Sequence, residues 1–80
     1  MILNKPQAEA VYNAMVALNN IGARLETNIP MGGGIGTRVW EGLAGHVLVD
    51  GEQRGRGLGA GLNRETHANQ NAFATAYGLN

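Results

Sequence analysis

Apolar residues at helical spacing open the chain. Ala8, Val11, Tyr12, Met15 and Leu18 recur every three or four positions, with Ile21 at the end of the stripe, and predict an amphipathic helix over 4–20. Asn4 is placed to cap it, Gln7 stands in the capping-box position, and Pro6 falls in the first turn, where a missing N–H does no harm. Asn19, Asn20 and Gly22 mark its end, glycine being suited to the left-handed C-cap. The period then changes to two. Ala23, Leu25, Thr27 and Ile29 alternate with Arg24, Glu26 and Asn28, the pattern of a strand with one dry and one wet face. Residues 30–36, PMGGGIG, read as a flexible loop leading to a second strand near Thr37–Leu43. A third strand is expected over His46–Glu52 around Val47-Leu48-Val49, with Asp50-Gly51 a hairpin-type turn signal unless the strand simply ends there.

Glycine then occupies 51, 55, 57, 59 and 61. Extended, this stretch would show one bare glycine face; because glycine weakens strands entropically, a loop is the favoured reading. The closing pattern predicts a helix over Asn63–Tyr77, capped by Asn63 or Thr66. Its stripe is Phe73, Ala76 and Tyr77, joined by Ala72 or Asn69, and Gly78 and Leu79 form a Schellman-type ending. The elements add up to an α+β domain of order α-β-β-β-α. It would be a short antiparallel sheet with both helices packed on one face, since only one face of the first strand is apolar.

Length and composition narrow the function. Eighty residues make a single domain, 1–80. A chain of this size buries only about 60–65% of its unfolded surface. Without cysteine it has neither disulfide nor thiolate ligand, and His46 and His67 lie in different segments, so no metal or other cofactor is expected. Six basic and six acidic residues cancel, whereas nucleic-acid binders usually carry a basic excess. The opening MILNKPQAEA lacks a long apolar signal region and no apolar run approaches membrane-spanning length, so a cytoplasmic protein that leaves membranes alone is expected.

The glycine runs invite phosphate readings. Residues 32–37 lack the P-loop lysine and precede a strand, not a helix, so a hairpin tip is expected. Residues 55–61 precede the expected last helix and could form an anion nest helped by Arg54, Arg56 and Arg64. The dinucleotide fingerprint fails at Ala60, however, and a solvated linker is the plainer reading. Glu41, Asp50, Glu52, Glu65 and the two histidines are the acid/base candidates, and no pattern gathers them in a pocket. No catalytic residue is assigned and no enzyme is expected. His46 reads as an edge residue and His67 as the solvent side of the last helix. Trp40 reads by default as core, with an exposed interface anchor as the alternative.

In element order the chain resembles the double-stranded-RNA-binding domain, most closely from Val49-Asp50-Gly51 through Gly55, Gly57 and Gly59 to the alanine-rich Ala68–Tyr77. That resemblance implies phosphate contacts from Arg54, Arg56 and Arg64. It departs where the family's last helix opens with a basic cluster, because Arg64-Glu65-Thr66-His67-Ala68-Asn69 sets one arginine beside a glutamate. In size and lack of cysteine the chain also looks like the small phage proteins that block bacterial defences, anti-CRISPR proteins especially. The expectation is therefore a non-catalytic inhibitor that occupies the surface of a host nucleic-acid-handling protein complex, such as a CRISPR effector. It would bind through Arg24, Glu26, Arg38, Trp40, Arg54, Arg56 and Arg64, mixed charges serving to fix register on a protein partner. Nucleic-acid binding is the alternative, and a homodimer that buries one sheet face or edge is compatible with the modest apolar content.

Overall fold

A computed structural model describes residues 1–51 in full, the backbone of 52–54, and residues 63–80. Helix α1 (Lys5–Asn19) leads into β1 (Glu26–Gly32), β2 (Ile35–Glu41), β3 (Val47–Arg54), β4 (Asn63–His67) and helix α2 (Gln70–Ala76). Among the described residues the strands form one antiparallel sheet in the order β1-β2-β3-β4, each paired with its neighbour in sequence. The α+β class, the antiparallel sheet and the two flanking helices are those the hydrophobic pattern predicts; the fourth strand is an addition.

Helix α1 starts as its sequence directs. Asn4 Oδ1 accepts the Gln7 N–H and Gln7 Oε1 accepts the Asn4 N–H, each at 2.9 Å, which closes the capping box. Its inner face buries Ala8, Val11 and Met15. Ile21 lies past the C-cap Asn20 and is 79% exposed, so it leaves the stripe instead of ending it. Gly22 turns left-handed (φ 77°), and the Ala23 N–H closes on the Leu18 carbonyl at 2.9 Å.

Residues 30–36 form a tight hairpin, not a flexible loop. Strand pairing runs to Gly32↔Ile35, leaving Gly33 and Gly34 as the two turn residues, at φ 60° and 76°. Positive φ at both positions matches the right-handed twist of the strands on either side, and glycine adopts it without strain. Asp50-Gly51 is not a turn either, since β3 continues through it to Arg54 while pairing Asp50 with Arg64 and Gly51 with Asn63.

The largest departure is at 63–69. The expected helix start is strand β4, and α2 begins only at Gln70, capped by Asn69 Oδ1 on the Ala72 N–H at 2.8 Å. Asn63 to His67 has no apolar residue to give it a helical stripe; it alternates instead, with Glu65 and His67 turned toward the helices and Arg64 and Thr66 away. The far end of α2 matches its signals: Gly78 is left-handed (φ 69°), the Leu79 N–H reaches the Ala74 carbonyl at 2.9 Å, and Leu79 packs on the core.

One core holds the layers together. Val39, Val47, Val49, Met15, Ala8 and Phe73 are fully buried in a cluster that includes Leu3, Val11, Leu25 and Tyr77. Both helices therefore cover the sheet face that carries Thr37, Val39, Val47 and Val49. Among the described residues the opposite face carries no helix, and there Glu26, Arg38, Trp40 and Arg64 collect.

Candidate functional site

Strand register decides which residues meet on the uncovered face. One cross-strand row runs Asn28, Arg38, Asp50, Arg64; the next runs Glu26, Trp40, Leu48, Thr66. Val39 claims the core position between Arg38 and Trp40, so the indole must point outward, and Trp40 is partly exposed instead of buried. This overturns its core reading.

The two arginines frame the indole. The Arg38 guanidinium carbon lies 3.9 Å and that of Arg64 5.2 Å from the Trp40 ring centroid, both within cation–π range. Each is anchored by a carboxylate on a neighbouring strand. Arg38 donates from Nε and Nη2 to Glu26 Oε2, at 3.1 and 2.6 Å. Arg64 forks onto Asp50, Nε to Oδ1 and Nη2 to Oδ2, the latter at 2.9 Å. The hydrogen bond to Asp50 holds the Arg64 pKa above its ordinary value, so the guanidinium stays charged.

Their exposures are unequal in a telling way. The Asp50 side chain is only 3% exposed and Arg64 is 44% exposed, so the carboxylate sits beneath and the cation on top. In the other pair both members reach solvent, Arg38 at 40% and Glu26 at 65%. Asp50, named from the sequence only as an acid/base candidate, thus takes its place in this cluster. The alternation Val47, Leu48, Val49, Asp50 sets it on the face opposite the two valines, and that signal was available in the sequence.

Of the seven residues expected to bind a partner, Glu26, Arg38, Trp40 and Arg64 form this one cluster. Arg24 lies apart, donating from Nη1 to the Gly42 carbonyl in the β2–β3 turn at 2.8 Å. The side chains of Arg54 and Arg56 fall outside the described residues, as do Glu52 and the glycine-alternating stretch after Arg54.

Two of the acid/base candidates, Glu41 and Glu65, fasten the fold. Glu41 Oε1 accepts the Leu25 N–H at 2.7 Å, and its carboxylate also receives the side-chain amides of Asn19 and Gln70, joining β1, β2 and both helices at one end of the molecule. At the other end Glu65 takes three donors: the Tyr77 hydroxyl at 2.6 Å, the Ile2 N–H at 2.7 Å and His67 Nε2 at 3.1 Å. Burial pushes the Glu65 carboxyl up, but the hydrogen bonds from Tyr77, His67 and Ile2 outweigh it and hold the group below the usual carboxylate range. Burial, together with the bond to Glu65, drives the Tyr77 phenol well above its ordinary value, which keeps the proton on oxygen.

His67 is not on the solvent side of a helix. It ends β4 and is wedged at ring-centroid distances of 5.3 Å from Phe73 and 5.9 Å from Tyr77. His46 is exposed in the turn before β3. Among the described residues no three His, Asp or Glu side chains lie together as metal ligands would, and no helix is long and apolar enough to cross a membrane.

An open depression of about 730 Å3 runs along the end of the molecule near Tyr12, Arg24, Glu41, Leu43 and Gln70. Its central carboxylate, Glu41, is already filled by protein donors, so the depression offers carboxamides and no free acid. The uncovered sheet face is the stronger candidate. No family model, no curated protein and no solved structure matches this chain.

Proposed function

We propose that this protein is a non-catalytic binding module that docks its uncovered sheet face on a protein partner. One observation carries the reading: a partly exposed tryptophan held between two ion-paired arginines on a sheet face that, among the described residues, carries no helix. Tryptophan and arginine dominate interface hot spots because they combine large contact area with directional donors. Cross-strand pairing and salt bridges fix these side chains before any partner arrives, so little ordering entropy is left to lose on binding. Carboxylates interleaved with the arginines suit a protein surface better than a run of phosphates, as does the balanced charge of the chain.

The finer proposal is that the partner is a bacterial nucleic-acid-handling complex, with a CRISPR effector the first to test, and that docking blocks its work. Affinity capture from bacterial lysate with the wild-type protein and with Trp40→Ala is the decisive comparison, followed by reconstitution of the pair from purified components. A defined protein complex held by the wild type and released by Trp40→Ala is the expected result. In the same preparation, target cleavage by a purified CRISPR effector should fall on addition of the wild type alone. Recovery of duplex RNA without protein, or capture indifferent to Trp40→Ala, overturns the reading. The duplex-RNA alternative would set Arg64 at the head of the last helix, whereas it lies in β4, bound to Asp50.

A further inference from the structure

The hydrogen bonds already made on the uncovered face define what is left over. Arg38 and Arg64 both spend the same edge, Nε and Nη2, on their own carboxylates. A guanidinium carries five N–H donors in a fixed fork, so each arginine keeps the Nη1 side free for another acceptor. Among the described residues neither arginine has a further acceptor, and the Trp40 indole N–H, which can only donate, has none either. Of the carboxylates nearby, Asp50 is sunk beneath Arg64, and the exposed Glu26 takes both Arg38 bonds on Oε2. The two guanidinium carbons lie no farther apart than the sum of their 3.9 and 5.2 Å distances to the indole centroid. The face is therefore a tight cluster of three donor groups around one apolar ring, with Leu48 as its cross-strand neighbour.

From this leftover chemistry we infer that the face selects an acidic protein segment, taking two carboxylates of the partner on the free edges of Arg38 and Arg64 with an apolar side chain against Trp40. Carboxylates are the fitting acceptors because each matches the planar fork of one guanidinium, which a single backbone carbonyl cannot. The segment is extended, so that alternate side chains meet the described sheet face. This inference rests on the docking reading above and adds the partner's chemistry to it.

Trp40 is the only tryptophan in the chain, so its emission reports on the site directly. The probes are an alternating Glu–Val octapeptide, its Lys–Val counterpart, and an RNA duplex of about 16 base pairs. The Glu–Val peptide should shift Trp40 emission saturably and move the amide resonances of Trp40 and Leu48, with affinity falling as salt rises. Arg38→Gln sits on the exposed pair and should leave the fold intact; it is expected to weaken the acidic peptide about tenfold, the worth of one lost charge-assisted hydrogen bond. Arg38→Glu should abolish the response. An equal response to the Lys–Val peptide, a stronger one to the RNA duplex, or none to the Glu–Val peptide overturns the inference. If Trp40→Ala still releases a captured partner while the Glu–Val peptide does nothing, the docking face survives and its acidic preference falls.

Discussion

Replacing Tyr77 by phenylalanine isolates one oxygen that ties three parts of the chain. The ring should stay where it is, 4.9 Å from Phe73 and 5.9 Å from His67 by centroid, so packing is nearly conserved. What disappears is the donor to Glu65 at 2.6 Å and the acceptor for the Leu3 N–H at 3.2 Å. Leu3 is 4% exposed, so its N–H is left without a partner away from water, a loss of about 1–3 kcal/mol. The charge-assisted bond to Glu65 adds about 1.5 kcal/mol or more. Sharing one oxygen makes the two losses overlap, and a total of about 2–4 kcal/mol is expected. A chain of this length has about 4–12 kcal/mol of stability in all, so the variant should be folded but visibly weakened.

Urea unfolding followed by Trp40 emission measures this, with an unchanged slope showing that the midpoint shift is a stability change. The same variant has a signature in acid. Glu65 is held below the usual carboxylate range when folded, so its contribution is present above the unfolded pKa and is lost as pH falls through the folded one. Removing the Tyr77 donor takes away part of that lowering, so the acid-dependent loss should be smaller in the variant and complete at a higher pH. A midpoint shift worth less than about 0.5 kcal/mol at neutral pH, or identical acid profiles, would refute the assignment of this oxygen as a tie.

Substitutions at three further positions probe the fold. Phe73→Ala removes the largest fully buried side chain and should cost about 3–5 kcal/mol, leaving the protein partly unfolded by circular dichroism at room temperature. Glu41→Ala strips the Leu25 N–H of its side-chain acceptor and frees Asn19 and Gln70; a loss of about 1–3 kcal/mol in chemical denaturation is expected. At Gly33 (φ 60°) there is open space for a Cβ, so the penalty is purely that of the backbone. Gly33→Val should lose about 1–2 kcal/mol while Gly33→Asn loses much less, and equal melting points for the two would contradict the turn assignment.

Legibility in the sequence followed the location of the apolar residues. Helix α1 and the end of α2 were readable because stripe and caps agree, Asn4 with Gln7 at one, Gly78 with Leu79 at the other. Strand β4 was not, because its inward positions are Glu65 and His67, and an alternation carried by polar residues looks like a solvated helix start. Only the distant Tyr77 hydroxyl and Ile2 N–H make an inward glutamate tolerable there, and no local pattern contains them. The three consecutive glycines suggested looseness, whereas two of them simply supply the positive φ that a tight turn demands. At the site, alternation alone assigned Glu26 to the uncovered face. Trp40 was harder, since its large apolar area argues for the core until Val39 is seen to occupy it. The meeting of Arg64 with Asp50 and Trp40 depended on β4 and could not be read before that strand was known.

The ties from the first residues to β4 and α2 also bear on how the molecule opens. Chain termini ordinarily fray, and their amide hydrogens exchange with solvent almost at the rate of a free peptide. Here the Ile2 and Leu3 amides are clasped by Glu65 and Tyr77, residues more than sixty positions away. Both hydrogens should therefore be released only when the last strand and last helix let go. Native-state hydrogen exchange would then find a terminus as slow as the core, with the second and third residues reporting on the unfolding of the whole chain.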